Sequence, residues 1–92
     1  MVDASKKTEI YKFSATWCQP CRQMAPLIEK MKTQFPDVVV IDCDIEKDAA
    51  LAREFAIQSV PTLVTRSGAK LVGAVAETKL RAWFASLASY GL

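Results

Sequence analysis

Hydrophobic periodicity switches repeatedly along this chain, and the order of the switches constrains the fold more than any other feature of the sequence. Residues 9–15, Glu-Ile-Tyr-Lys-Phe-Ser-Ala, alternate. That period predicts a strand with Tyr11 and Phe13 on one face and Ile10, Lys12 and Ser14 on the other. Over residues 18–35 the larger apolar side chains fall at Met24, Leu27, Ile28, Met31 and Phe35, the spacing of one helical face. Pro26 removes one backbone donor inside this helix, so a kink is expected there, and Pro36 ends the pattern. Residues 38–43 are short and β-branched, which favours a second strand. Residues 47–56 are rich in good helix formers and put Leu51, Ala52 and Phe55 on an inward stripe. Residues 62–66 and 69–73 around Ser67-Gly68 have the length and turn chemistry of a β-hairpin. Finally, residues 77–89 gather Leu80, Trp83, Phe84 and Leu87 on one helical face. The predicted order is β-α-β-α-β-β-α, an α/β fold. Strands joined by a helix run parallel through a right-handed crossover, and the last pair is antiparallel. A four-stranded mixed sheet with helices on both faces follows.

Ninety-two residues with 51% apolar content are enough for one core and too few for two, so residues 1–92 read as a single domain with a flexible tail over residues 1–8. The longest strongly apolar run, residues 38–41, is far short of the roughly 20 residues that span a bilayer, so no membrane helix is expected. A net charge of +2 spread along the chain argues against a nucleic-acid partner. The first seven residues carry charges without an apolar stretch behind them, which reads as no secretory leader and a cytosolic location. Three cysteines are few and odd in number for a disulfide-stapled secreted domain, so a Cys-x-x-Cys pair points to chemistry.

That pair, Trp17-Cys18-Gln19-Pro20-Cys21-Arg22, lies where the first strand hands over to the first helix. A sulfur at a helix N-terminus faces unpaired backbone N–H groups and the positive end of the dipole, which favour thiolate. Cys18 is therefore the candidate nucleophile. Two intervening residues bring the sulfurs within one turn, so Cys21 can attack a mixed disulfide at Cys18 and release the reduced partner. Pro20 is tolerated in the first turn, where its missing donor would have no intrahelical acceptor. Two other uses of the pair stand beside this one. Half of a zinc site would need a carboxylate or a second chain, because the sequence holds three cysteines and no histidine. Burial of both thiols fits the polar and aromatic flank of Trp17, Gln19 and Arg22 less well than an exposed mouth does. Cys43, on an apolar strand, reads as a buried, inert thiol, with regulatory oxidation as the lesser alternative.

The run from Phe13 to Arg22 followed by Ala25-Pro26 resembles the active-site segment of the thioredoxin family, whose usual form is Trp-Cys-Gly-Pro-Cys-Lys. The likeness continues through Ser59-Val60-Pro61-Thr62 and Val72-Gly73-Ala74 into the last helix, in family order and spacing. It implies a thioredoxin-like fold with sheet order 2-1-3-4, Cys18 as attacking thiol and Cys21 as resolving thiol. It also implies a cis Val60–Pro61 peptide facing the disulfide, with Trp17, Gln19, Pro20, Val60, Pro61, Gly73 and Ala74 forming the rim that docks substrate. The implied activity is reduction of protein disulfides by a monomer whose only redox group is the Cys18–Cys21 disulfide. It would bind no cofactor or metal, and an NADPH-dependent thioredoxin reductase would recycle it. A glutathione-linked, glutaredoxin-like oxidoreductase is the alternative enzyme, made credible by the short chain. An interaction module with incidental redox activity is the alternative of another class.

Three departures from the family pattern stand out. Only eight residues precede Glu9, where the family usually has a further strand and helix, so the chain resembles the minimal, glutaredoxin-sized members. The second strand then lies at an edge, with Asp42 and Asp44 as charges that discourage strand addition. Family members usually carry a buried Asp six residues before the first cysteine, paired with a Lys on the neighbouring strand. Here those positions hold Lys12 and Asp42. Because burying either charge alone is costly, the exchange predicts a Lys12–Asp42 ion pair beneath the active site. Finally, Gln19 stands where the family has Gly, beside the attacking thiol.

Overall fold

The structure, a computed structural model, describes residues 8–88 of the chain. Its elements follow in the order β1 (Thr8–Ser14), α1 (Gln19–Gln34), β2 (Val38–Asp44), α2 (Ala49–Glu54), β3 (Thr62–Val64), β4 (Lys70–Val72) and α3 (Glu77–Ala88). The strands form one sheet in the order β2-β1-β3-β4. β2 runs parallel to β1, while β1–β3 and β3–β4 are antiparallel. The crossover between β1 and β2 is α1, long enough to return the chain to the same end of the sheet.

Alternation on β1 divides the core. Ile10 faces α1 and α3, joining Met24, Ile28, Met31, Leu63, Leu80, Phe84 and Leu87. Tyr11 and Phe13 face the other side and pack with Cys43, Ala52, Val64 and the half-buried Phe55, which caps the C-terminus of α2. The two faces are thus covered by two helices and by one.

Several boundaries differ from the sequence-based expectation. β1 begins at Thr8, whose N–H donates to Asp37 O at 3.2 Å, so Thr8 belongs to the sheet; the rest of the expected tail, residues 1–7, lies outside the described residues. α1 is one residue shorter at each end than residues 18–35, and Pro26 lies inside it as expected. α2 is shorter than residues 47–56 because side chains hold the preceding segment as a turn. Asp44 Oδ1 accepts from the N–H groups of Glu46 and Lys47, and Asp48 Oδ2 accepts from Asp44 N. Such local bonds offer the backbone an alternative to helix. At its other end Ala56 adopts φ 55° and Ile57 N–H donates to Ala52 O, closing the helix. The hairpin strands are three residues each, not five, because the backbone turns at Thr65. The Thr65 carbonyl accepts from Gly68 N–H and its hydroxyl from Ala69 N–H, while Gly68 takes φ 102°. Ser89, the last residue expected in α3, lies outside the described residues.

Candidate functional site

Cys18 is the N-cap of α1. A turn after β1, with Cys18 N–H donating to Ala15 O at 3.1 Å, delivers it in an extended conformation to the first turn, where Pro20 fits. Its Sγ accepts the N–H of Cys21 at 3.1 Å, so one of the helix's otherwise unpaired donors points at the sulfur. Cys18 and Cys21 are joined by a disulfide, with Cα atoms 5.3 Å apart. The expected exposed mouth is only partly present. Cys18 is 3% exposed and Cys21 half-buried, whereas Trp17 is 65% exposed and Gln19 and Pro20 are also open to solvent. Trp17, Gln19 and Pro20 are exposed and the leading sulfur sits beneath them.

The Val60–Pro61 peptide is cis. Pro61 is buried and, with Cys21, Lys12, Ala15 and Met24, lines a cavity of about 200 Å³ under the start of α1. Val60 is half-buried beside it. Gly73 N–H donates to Pro61 O at 2.8 Å, tying the end of β4 to this loop, and Gly73 holds φ 85°, a conformation glycine adopts without penalty. The neighbouring Ala74 is exposed.

Lys12 and Asp42 are register partners on β1 and β2, and Lys12 Nζ lies 2.7 Å from Asp42 Oδ1. The pair forms, but it is not buried as a unit as expected. The Lys12 side chain is 18% exposed and that of Asp42 71%. Lys12 stands on an inner strand roofed by α1, while β2 is the sheet edge, so its side chain reaches solvent. The covered charge at the cavity is therefore the cation.

A second, larger groove of about 520 Å³ opens between Trp17, α2 and the Val60 loop. Ile45, Ala52, Ile57 and Val60 give it apolar walls, and Arg53, Gln58 and Ser59 add polar groups. Of these residues, only Trp17 and Val60 were expected at the site from the sequence. The others come from a loop and a short helix whose meeting with Trp17 has no local signature. Cys43 lines neither cavity. Burial first, then the carboxylates of Asp48 and Asp42, push its thiol above the ordinary value of 9.0. Among the described residues no cluster of three or more His, Cys, Asp or Glu side chains could hold a metal ion, and no helix is long and apolar enough to cross a membrane.

Residues 1–86 match the family model described as Thioredoxin. Among known proteins, the chain is 36% identical to Thioredoxin H2-1 of Oryza sativa subsp. japonica over 79% of this chain and 55% of that protein. It is 38% identical to a Thioredoxin H-type protein of Brassica campestris, over 79% and 63%. The chain spans about half the length of the first plant relatives it matches. Among solved structures, the oxidised mitochondrial thioredoxin 3 of Saccharomyces cerevisiae superposes with a TM-score of 0.79 at 30% identity, covering 90% of this chain and 83% of that one. A mutant thioredoxin from Halobacterium salinarum gives 0.81 at 28%, covering 95% and 80%.

Proposed function

Because the chain belongs to the thioredoxin family, we propose that it is a thiol–disulfide oxidoreductase that reduces disulfides in other proteins. The observation that carries this reading is the Cys18–Cys21 disulfide capping α1, with a backbone N–H aimed at the Cys18 sulfur. In the reduced protein that donor and the helix dipole favour thiolate at Cys18. The Cys18 thiolate attacks one sulfur of a substrate disulfide, forming a mixed disulfide and expelling the other substrate sulfur as thiolate. Cys21, as thiolate, then attacks the Cys18 sulfur, closes the Cys18–Cys21 disulfide and expels the second substrate thiolate. Two electrons pass to the substrate, and its two thiolates take up protons from water.

Lys12 gives the second step its particular character. Lys12 and Cys21 line the same cavity, so the lysine's positive charge favours the Cys21 thiolate electrostatically rather than by taking its proton as a base would. Asp42, at the solvent end of the pair, holds and partly offsets that charge. Trp17, Gln19 and Pro20 on one side, and Val60, Pro61, Gly73 and Ala74 on the other, form the docking rim, with Val60 offering backbone to an extended substrate. The protein works as a cytosolic monomer without nucleic-acid or membrane partners. It draws electrons from an NADPH-dependent thioredoxin reductase and carries no cofactor beyond its own disulfide.

Insulin reduction, followed by precipitation of the freed chains, tests this reading. Turnover is expected with NADPH and thioredoxin reductase, and none with the Cys18→Ser variant. Faster turnover with glutathione and glutathione reductase would move the protein to the glutaredoxin-like alternative. A biological role that survives loss of both cysteines would make it an interaction module.

A further inference from the structure

Three of the four arginines are engaged. Arg22 donates to Thr16 O, Arg66 to Glu54 and Tyr11, and Arg81 to Gln34 and Glu77. The Arg53 side chain has no hydrogen bond or ion pair among the described residues. It is exposed at the last turn of α2 and lines the apolar groove that begins at Trp17, next to the Cys18–Cys21 disulfide. Its sequence neighbour Glu54 is taken by Arg66 at 3.2 Å. A guanidinium is weakly hydrated and presents a planar fork matched to a carboxylate, so an unpartnered one on an apolar wall selects for an anion arriving with whatever fills the groove.

We propose that this groove receives an extended segment of the substrate protein, and that Arg53 selects segments carrying an Asp or Glu side chain near the disulfide-bonded cysteine. The inference rests on the oxidoreductase reading, since the groove belongs to a substrate only if the adjacent disulfide is the reacting group. Ala52, Ile57 and Trp17 supply apolar contact and exclude water along the segment. Arg53 supplies the charge that sets its register and speeds its encounter. An acidic side chain at the matching position is favoured, a neutral one tolerated, and a lysine there repelled.

The test is a single-turnover measurement on the whole, pre-reduced protein. The probes are synthetic peptides with one cysteine in disulfide linkage to a chromophoric aromatic thiol, carrying Glu, Gln or Lys at each flanking position in turn. At one register Glu is expected to react about three- to tenfold faster than Gln, and Gln faster than Lys, with the differences shrinking in high salt. Arg53→Gln should flatten this order and Arg53→Glu should reverse it. Rates that agree within about twofold for Glu, Gln and Lys at every register, or a preference for Glu that persists in Arg53→Gln, would overturn the proposal while leaving the oxidoreductase reading intact. Failure of the wild-type protein to react with any peptide or with a small aromatic disulfide would sink the oxidoreductase reading itself.

Discussion

Each sulfur in this protein has its chemistry set by what the backbone and neighbouring charges do within a few ångströms. Cys18 caps a helix and receives the Cys21 N–H, Cys21 opens on a cavity that Lys12 also lines, and Cys43 is sealed among apolar side chains. Cys21→Ser should therefore trap substrate on Cys18 as a mixed disulfide visible on a non-reducing gel, and Cys18→Ser should trap none. Lys12→Met should slow resolution of a mixed disulfide about three- to tenfold at neutral pH and push its pH dependence upward, because the Cys21 thiolate loses its cation. Asp42→Asn should push it the other way, and its cost in stability should be under about 1 kcal/mol because the carboxylate is mostly exposed. Stopped-flow resolution across pH measures both, and shifts of the same sign would refute the electrostatic role. Cys43 adds a stability term of known sign. Its thiol sits above 9.0 in the folded protein, so the unfolded chain loses that proton first, and stability present at lower pH is lost as pH climbs from 9.0 through the folded value. Urea titrations of wild type and Cys43→Ala should differ by a constant packing cost at neutral pH, and that difference should change with pH only on this alkaline side.

At the level of elements, helix α3 is pinned to α1 through one carboxylate. Lys30 Nζ donates to Glu77 Oε2 at 2.8 Å, and Arg81 bonds the same oxygen from a turn further along α3. These hydrogen bonds, Lys30's first and Arg81's next, hold the Glu77 carboxyl below its usual 4.5. The linkage is favourable above that value and is lost as pH falls through the folded-state value. Glu77→Gln should consequently flatten the acid limb of stability against pH, read by thermal melts between neutral and acidic buffers. The elements with strong periodicity were legible from the sequence. The Ile10/Tyr11 alternation and the Met24, Ile28, Met31 face predicted β1 and α1 because burial alone decides them. The short elements were not. α2 lost its first turn to the Asp44 and Asp48 side chains, and the hairpin lost Arg66, whose guanidinium stacks 5.2 Å from the Tyr11 ring centre and donates to its hydroxyl. Polar side chains that bond backbone or aromatic partners leave no periodic trace.

For the molecule as a whole, stability lies mainly on the two-helix face and chemistry at the end of the sheet where β1 meets α1. Phe84, fully buried between Phe35 and Trp83, belongs to the first. Phe84→Ala should cost about 3–5 kcal/mol, a large share of the roughly 5–15 kcal/mol that holds such a domain, as measured by chemical denaturation. The element order, the division of the core between two faces and the place of Cys18-Gln19-Pro20-Cys21 at a helix start were all readable from the residues alone, because each follows from periodicity or local backbone geometry. Three-dimensional packing set the rest: Lys12 is covered while Asp42 reaches water, and the Arg53 side chain has no partner among the described residues on a groove beside Trp17. The first depends on which strand ends up at the sheet edge, and the second on bringing together residues far apart in the chain. Contacts of that kind are set by packing in three dimensions and have no signature in neighbouring residues.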